Sequence, residues 1–307
     1  MSSHLDIRVA IVIVNWNTRD FLRSALQSIA AFAPSCKYRV VVVDNASADG
    51  SADMVKLDFS QIELVSEKHN QGFARAMNRG MQKIRAPYYL LLNSDCEFIE
   101  NILDKMISYM EEHPKLGILG PAVVYPDGSL QSAGEPPLTV WSIFKSQILF
   151  SKSPLRMRRA QWPENGFQEV GFVSGSCMLI RGALSDAIGY LREDFFMYGE
   201  DVDYCLRASR AGWKVGVLTG LRVRHYKAKS TTQNLSATLK NSILNNCQLI
   251  LENSGSVHAL FSLLFYAAGA AMRGMIAFIS LKPNSYEWFK LCKSVPGLGV
   301  KIFSRKK

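Results

Sequence analysis

Residues 7–17 read IRVAIVIVNWN, a run of β-branched and other apolar residues that ends in two asparagines around a tryptophan. A continuous apolar run of this length is typical of a strand that is buried on both faces of a parallel sheet. Residues 40–43 (VVVV) repeat the pattern and are followed by Asp44, and apolar residues at helical spacing fill the interval at 20–33. The sequence therefore predicts a β-α-β unit at its start.

The same alternation continues to about residue 112. A helix is predicted at 51–57, a short strand at 62–65, a helix after Gly72, a strand at 88–92 and a helix at 99–112. Such alternation favours an α/β fold with a mostly parallel sheet and right-handed crossovers. No GxGxxG follows the first strand and no P-loop motif occurs, so the sequence supports neither a dinucleotide-binding Rossmann site nor a P-loop.

The middle of the chain is less regular. Residues 134–167 contain four prolines and a basic cluster made up of Lys152, Arg156, Arg158 and Arg159. This composition predicts an irregular basic segment of the kind that often borders an acceptor site. Before it, residues 126–128 (PDG) predict a hairpin turn. After it, strands are predicted at 170–180, 214–218 and 221–225, and a helix at 234–251.

Residues 195–207 (FFMYGEDVDYCLR) place adjacent carboxylates directly after an aromatic run and a glycine. Stabilisation of a helix N-terminus explains part of this pattern. The aromatic residues predict in addition that at least one carboxylate lies against a low-dielectric surface, which would raise its pKa toward that of a general base. Asp203 and Arg207, four positions apart, predict an ordinary surface ion pair worth about 0.3 kcal/mol.

Two residues at strand ends are candidate ligands of a hard divalent cation. Asp95 follows the strand at 88–92, and His225 closes the strand at 221–225. A carboxylate and an imidazole at the carboxyl edge of a sheet can hold such a cation beside phosphate oxygens. Taken alone, an Asp after a strand is more often a helix cap, and a single His is more often structural.

The composition is that of a globular protein, with 48% hydrophobic and 20% charged residues among 307. Six scattered cysteines form no CxxC pair, which predicts neither a zinc knuckle nor a disulfide framework and fits a reducing compartment. The first eight residues contain no apolar core of a secretory signal. We therefore expect the catalytic part to stay in the cytoplasm.

The net charge of +10 is concentrated in part at the C-terminus, where residues 282–307 carry seven Lys or Arg and one acid. Residues 257–281 are strongly apolar, which favours an anionic membrane surface over a nucleic acid as the partner. Arg273 interrupts this run and leaves less than the roughly 20 residues that a spanning helix needs. We expect a helix in the interface, on the inner face of the cytoplasmic membrane; a buried helix pair or a homodimer contact is the alternative.

Seven ordered motifs resemble those of the bacterial family 2 glycosyltransferases, in particular their rhamnosyltransferase-like branch, over about residues 7–232. They are VNWN at 14–17, VDNAS at 43–47 with DGS at 49–51, Asn70 with GFA at 72–74, LLNSD at 91–95, SGSCM at 174–178, FFMY at 195–198 with EDVD at 200–203, and GW at 212–213. The resemblance implies a GT-A fold and inverting transfer of a sugar from a nucleoside diphosphate donor.

The resemblance also implies a division of the chain. We expect residues 1–232 to form the GT-A catalytic domain, with a nucleotide-sugar half up to about residue 115 and an acceptor half at 116–232. Residues 233–307 would then form a C-terminal helical extension that associates with the membrane.

By the same resemblance, Asp201 is the catalytic base and Glu200 its alternate. Asp95 is the last residue of a DXD-type metal motif, which reads Asn93-Ser94-Asp95 here, and His225 matches the family histidine after the Gly-Trp motif. With one carboxylate left in the motif, Mg2+ or Mn2+ is expected to bind more weakly, or to be shared between Asp95, His225 and the diphosphate. The residues expected at the donor are Asn15, Asn17, Asp44, Asn45, Asn70, Gly72, Arg75 and Asn93.

These features together predict an inverting transferase of cell-envelope polysaccharide biosynthesis that uses dTDP-L-rhamnose and a lipid-linked glycan acceptor; the donor follows from the resemblance alone, and a UDP-hexose is the alternative. Three other functions fit less well. A nucleotidyltransferase would need a Gly- and Lys-rich first loop, and a processive synthase a QxxRW motif and several spanning helices. A non-catalytic nucleotide-sugar or glycan-binding protein would not need Glu200, Asp201, Asp95 and His225 together.

Overall fold

The computed structural model describes four stretches of the chain, 7–150, 166–226, 235–281 and 285–304. These residues form two compact units. The first unit consists of 7–135, 166–196 and 200–226, and the second of 136–150, 197–199, 235–281 and 285–304. The predicted boundary between residues 232 and 233, and the basic cluster at 152–159, lie outside the described residues.

Ten strands of the described residues form one mixed sheet in the first unit. They are β1 (Val9–Asn15), β2 (Tyr38–Asp44), β3 (Glu63–Ser66), β4 (Tyr88–Asn93), β5 (Cys96–Phe98), β6 (Leu116–Val124), β7 (Leu130–Ser132), β8 (Phe167–Glu169), β9 (Cys177–Arg181) and β10 (Lys214–His225). Their order is β3-β2-β1-β4-β9-β6-β10-β5, with β7 on β6 and β8 on β10. The β1–β2, β2–β3, β1–β4 and β6–β10 pairs are parallel, whereas β5, β7, β8 and β9 pair antiparallel.

The helices of the described residues follow in chain order. They are α1 (Arg19–Ala31), α2 (Ser51–Asp58), α3 (Phe73–Met81), α4 (Ile102–Glu112), α5 (Val140–Gln147), α6 (Gly182–Ile188), α7 (Glu200–Arg210), α8 (Leu235–Ser254), α9 (Ser256–Ile279) and α10 (Ser285–Ser304). Helices α5, α8, α9 and α10 belong to the second unit and the others to the first.

Strand β1 is buried on both faces, which explains its continuous apolar sequence. Ile11 and Ile13 pack in one core with Leu22 of α1, while Ala10 and Val12 pack in a second core with Met77 of α3. The sheet therefore separates two hydrophobic cores, with α1 and α4 in the first and α3, α6 and α7 in the second. The predicted α/β alternation with a mostly parallel centre is confirmed.

Two strand predictions differ from the structure. Within the strand predicted at 170–180, only the part in β9 is a regular strand, because the chain turns at 174–176. At this turn the Ser176 carbonyl accepts a hydrogen bond from the Asn93 amide N–H at 3.0 Å. The strands predicted at 214–218 and 221–225 form one strand, β10, with a register irregularity between Leu218 and Arg222. The PDG hairpin turn is confirmed between β6 and β7.

The segment predicted to be irregular at 134–167 contains helix α5 in its described part. A capping box explains why this helix forms: the Thr139 hydroxyl accepts from the Ser142 amide at 3.0 Å, and the Ser142 hydroxyl accepts from the Thr139 amide at 2.9 Å. Reciprocal capping satisfies two backbone donors that a helix start otherwise leaves unpaired. Ile143 of α5 is buried in the core of the second unit.

Helix α9 runs through Arg273 without a break. The Arg273 guanidinium donates to the Ser146 carbonyl at 2.9 Å and to the Gln147 side-chain oxygen at 3.0 Å, and it lies over the Phe150 ring. Its charge is therefore satisfied inside the second unit, and the helix continues on both sides of it. The expected position of this helix in the membrane interface stays a prediction. Among the described residues, α9 alone has the length and apolarity to cross a membrane, criteria that core helices of soluble proteins also meet.

Candidate active site

The carboxyl ends of β1 and β2 carry a hydrogen-bonded group of polar residues. Asn15 lies opposite Asp44 in the parallel register. The fully buried Asn15 amide donates to Asp44 Oδ1 and to Ser47 Oγ, both at 3.1 Å, and Asp44 Oδ2 accepts from the Ser47 amide at 3.0 Å. A carboxylate offers about four acceptor positions, and these contacts use two of them. Asn15 thus fixes Asp44 and the loop that follows it.

A second group joins β2 to the start of α3. The Asn45 amide donates to Asn70 Oδ1 at 2.9 Å and to the Gly72 carbonyl at 3.2 Å, and Asn45 Oδ1 accepts from the Gln71 amide at 2.9 Å. Gly72 has a φ of +86°, and a Cβ there would lie 2.5 Å from the Phe196 carbonyl oxygen. Only glycine allows the loop at 70–72 to pass so close to Phe196.

Three other predicted donor residues have different surroundings. Asn17 is exposed, with a φ of +54°, and its side-chain oxygen accepts from the Ala48 amide at 2.8 Å. Arg75 is exposed and forms an ion pair with Glu193 at 2.9 Å. Asn93 is partly exposed at the end of β4, where it lies beside Val14 of β1. The structure thus brings Asn15, Asn17 and Asp44 together through Ser47, whereas Arg75 contacts a residue that the sequence did not single out.

The two adjacent acids at the start of α7 have unlike environments. Glu200 is only 6% exposed, and its Oε2 makes no hydrogen bond within the described part of the chain. Burial, and next the charge of Asp201, raise the pKa of Glu200 to about 8. Asp201 is partly exposed, and it accepts from the Gly175 amide at 3.0 Å and from the Val202 amide at 2.9 Å. Such hydrogen bonds favour the charged form of a carboxylate.

The predicted low-dielectric surface is present, but it acts on Glu200, the alternate base. Phe195 is buried and Phe196 is half exposed just ahead of the pair. Asp203 does form the predicted ion pair with Arg207, at 2.7 Å, but it is not a surface pair, because Asp203 is 5% exposed and also contacts Arg192 at 3.5 Å. Arg207 in turn donates to two backbone carbonyls, so this pair anchors α7.

Asp95 and His225 come together as predicted. Strand β10 pairs antiparallel with β5 so that His225 lies opposite Cys96, and the His225 Nε2 lies 3.2 Å from Asp95 Oδ1. One ligand atom from each of Asp95, Cys96 and His225 lies within 4.8 Å of the others. His225 Nδ1 lies 2.6 Å from the Gln131 side-chain oxygen.

The donor set fits a divalent cation through two of these three groups. A carboxylate oxygen is the kind of ligand that Mg2+ and Mn2+ take, and an imidazole nitrogen is a ligand that a transition-metal ion such as Mn2+ accepts more readily than Mg2+. Cys96 differs: its side chain is fully buried and donates to the Ser176 carbonyl at 3.3 Å. Burial, and next the Asp95 charge, raise the pKa of this thiol well above its usual value. Asp95 and His225 therefore form the protein part of the candidate metal site.

Two contacts in this region went unpredicted. The Gly175 amide donates to Asp201, and the Gln131 carbonyl faces His225. Gly175 belongs to the SGSCM motif, which the sequence analysis recognised but to which it assigned no function. Gln131 gave no signal, because only the antiparallel pairing of β7 with β6 brings this residue to the site.

A family model described as glycosyl transferase family 2 matches residues 10–189. The chain is a family 2 glycosyltransferase. The match covers β1 to α6 and so includes Asp44 and Asp95, while Glu200, Asp201 and His225 lie beyond its end. The resemblance found in the motifs is confirmed at the level of the family.

One curated relative of this glycosyltransferase is N-acetylglucosaminyl-diphospho-decaprenol L-rhamnosyltransferase of Mycobacterium tuberculosis. It is 27% identical over 236 residues, which cover 72% of this chain and 76% of the relative. Among solved structures, a mannosyltransferase of Pyrobaculum calidifontis in complex with GDP-Man and Mn2+ superposes with a TM-score of 0.59 at 15% identity, over 98% of this chain and 88% of that one. GalNAc-T7 with UDP, GalNAc and Mn2+ has a TM-score of 0.60 at 17% identity, over 86% of this chain and 51% of that one. These structures establish the GT-A-like fold.

Proposed function

We propose that this glycosyltransferase transfers L-rhamnose from dTDP-L-rhamnose, with inversion, to a glycan acceptor on a lipid carrier. The observation that carries the catalytic part is the unequal acid pair: Glu200 is buried and Asp201 is partly exposed with two backbone donors. An inverting transfer needs one carboxylate base beside the acceptor hydroxyl. Asp201, the more accessible acid of the pair, is assigned as that base.

Asp201 takes the proton of the acceptor hydroxyl as its oxygen attacks the anomeric carbon. The bond from this carbon to the diphosphate oxygen breaks on the opposite face, and the nucleoside diphosphate leaves with the bonding electron pair. The configuration at the anomeric carbon is therefore inverted. Glu200, whose raised pKa keeps it protonated at neutral pH, adds no second negative charge beside the base. The N-terminal end of α7 stabilises the negative charge that Asp201 carries before it takes the proton.

Asp44 and the loop at 70–72 are assigned to the nucleoside end of the donor. Asn15 is buried and holds Asp44 in place through a hydrogen bond, and the buried Asn45 holds the loop at 70–72 in the same way. Because both are buried, their contribution to donor binding is mainly to position these residues. Asn17, Asn93 and Arg75 are exposed or partly exposed and are proposed to contact the donor directly, Arg75 after release from Glu193.

Asp95 and His225 are assigned to Mg2+ or Mn2+. When bound, such a cation neutralises the negative charge that develops on the leaving diphosphate. Cys96 is left out of this ligand set because its thiol donates to a backbone carbonyl.

The donor sugar rests on the mycobacterial relative, whose name gives L-rhamnose and a diphospho-decaprenol acceptor. A UDP-hexose is the second candidate, supported by the UDP in the GalNAc-T7 structure. Calorimetric titration of dTDP-L-rhamnose, UDP-glucose, UDP-galactose and GDP-mannose, each with Mn2+ and with EDTA, separates the two. The proposal predicts tight binding of dTDP-L-rhamnose that weakens in EDTA. Preferred binding of a UDP-hexose would replace rhamnose, and no binding of any donor would favour a non-catalytic function.

The second unit is proposed to bind the inner face of the cytoplasmic membrane. Val257, Leu260, Phe261 and Leu264 are about half exposed or more at helical spacing on α9, and α10 adds Lys290 and Lys293. Apolar insertion together with basic residues of the same unit favours anionic lipid.

Co-flotation with vesicles that contain anionic lipid tests the membrane proposal. The double substitution Leu260→Asp with Leu264→Asp should abolish flotation, while Leu57→Asp, at an exposed leucine of α2, should leave it unchanged. Unchanged flotation of the double variant would contradict the proposal, and a wild-type dimer that dissociates in the double variant would point to the homodimer contact instead.

A further inference from the structure

A glutamine faces the nitrogen of His225 that is turned away from Asp95. Gln131 lies on β7, which the PDG turn brings back against β6. Its side-chain oxygen lies 2.6 Å from His225 Nδ1. The other end of the same amide, Nε2, is buried and has no hydrogen-bond partner among the described residues. The amide group is therefore used on one side only, toward the histidine.

This orientation determines which nitrogen of a neutral His225 carries the proton. Since an amide oxygen can only accept, Nδ1 must be the N–H donor, and the lone pair then lies on Nε2. Nε2 faces Asp95 Oδ1 at 3.2 Å. An ionised carboxylate is an acceptor as well, so two acceptors face each other in a site with side chains only 14% and 11% exposed. A cation that takes Nε2 and Oδ1 as neighbouring ligands would satisfy both acceptors.

The reversed amide would have the opposite effect. With Gln131 Nε2 toward Nδ1, the histidine proton would move to Nε2 and be donated to Asp95, which would remove the lone pair that a metal needs. The carbonyl-facing arrangement leaves Nε2 of Gln131 without a partner. The orientation of Gln131 that leaves its Nε2 unpaired is therefore also the orientation that leaves the Nε2 lone pair of His225 available to a cation.

We propose that Gln131 is a positioning residue that holds His225 in the Nδ1–H tautomer and thereby raises the affinity of Asp95 and His225 for Mg2+ or Mn2+. The inference rests on the metal site of the proposed function. Partners that orient a metal-binding histidine change metal affinity by about 10- to 100-fold when they are removed.

Two near-isosteric variants test the proposal in the full-length protein, with Mn2+ binding followed by electron paramagnetic resonance. Gln131→Met removes the acceptor, and Gln131→Glu keeps it. We expect Gln131→Met to weaken Mn2+ binding by about 10-fold or more and Gln131→Glu to bind at least as tightly as the wild type. Gln168→Met, on β8 with its amide bonded to the Glu169 carbonyl, is the matched control and should bind like the wild type.

Nitrogen-15 spectra of the metal-free protein, in which no cation fixes the tautomer of His225, give a second readout that a merely structural role would not move. His225, assigned with a His225→Asn variant, should carry its proton on Nδ1 in the wild type and in Gln131→Glu. In Gln131→Met the proton should be distributed over both nitrogens. This spectrum also separates hydrogen bonding from the extra charge of Gln131→Glu, which by itself would attract Mn2+.

Wild-type Mn2+ affinity in Gln131→Met, or equal weakening in Gln131→Met and Gln131→Glu, would overturn the inference and leave the proposed function standing. A wild-type protein that binds no Mn2+, and binds its donor equally well in EDTA, would overturn both the inference and the metal part of the proposed function.

Discussion

Replacing Glu200 by Gln should remove a specific pH dependence from the stability of the first unit. The folded protein raises the pKa of this carboxyl from 4.5 to about 8, since the side chain is buried beside Asp201. A raised folded-state pKa gives stability that is complete below the unfolded value and is lost as the pH rises through the folded value. Between about pH 4.5 and pH 8 the folded chain thus holds a proton that the unfolded chain releases.

The size of the effect follows from the same two values. At about 1.4 kcal/mol per pKa unit, the shift from 4.5 to about 8 sets an upper bound of roughly 5 kcal/mol for the whole range. From about pH 5.5 to pH 8, the wild type should lose about 3 kcal/mol that the Glu200→Gln variant does not lose. A neutral amide in this position resembles the protonated acid, so the two proteins should be most alike at low pH.

Urea unfolding at several pH values between about 5.5 and 8.5 measures this difference. Pulsed hydrogen exchange with mass spectrometry on peptides of β1 and β4 follows the first unit separately from the second. Glu112→Gln, at an exposed position of α4, is the matched control and should lose stability with pH as the wild type does. A pH dependence of Glu200→Gln equal to that of the wild type would show that Glu200 is ionised in the folded protein. This result would refute the proposal that Glu200 is protonated beside Asp201.

Three further predictions follow from single contacts. Gly72→Ala should cost about 3 kcal/mol of unfolding free energy and weaken donor binding, since the new Cβ meets the Phe196 carbonyl. The control Gly128→Ala, with a φ of +78° and no atom of the described residues within 4 Å of the new Cβ, should cost about 1 kcal/mol. Equal losses of the two variants in urea unfolding would contradict the close approach at Gly72. Arg273→Met should destabilise the second unit by about 2 kcal/mol through lost hydrogen bonds to the α5 end, and an unchanged thermal unfolding curve would refute this. Asp95→Asn should abolish Mn2+ binding detected by calorimetry, and a wild-type isotherm would remove Asp95 from the ligand set.

Local sequence patterns were sufficient for the parallel strands β1 to β4. They did not identify β6, a buried strand that pairs parallel with β10, because two glycines and a proline interrupt its apolar run. The apolar runs of β1, β2 and β4 specify strands buried on both faces, and the polar residues after them mark the edge of the sheet that carries the candidate site. The antiparallel strands were less accessible, because short strands such as β5 and β7 have no distinctive periodicity. Gln131 was missed for this reason.

The acid pair illustrates a second limit. Successive helix residues point about 100° apart, so one of two adjacent acids is turned inward, and tertiary packing decides which. The sequence predicted an acid against an apolar surface, and packing placed Glu200 there and left Asp201 partly exposed. Helix α5 was missed because its capping box uses Ser142 where the common pattern has Glu or Gln.

The most direct test of the catalytic account is the single-turnover transfer rate of Asp201→Asn against Glu200→Gln, with the donor identified by calorimetry and a lipid-linked acceptor. Removing the base should slow transfer by about 1,000-fold while donor affinity stays near that of the wild type, whereas Glu200→Gln should stay within about 10-fold, because the wild-type Glu200 is already protonated at neutral pH. A larger loss in Glu200→Gln than in Asp201→Asn would contradict the account and make Glu200 the base.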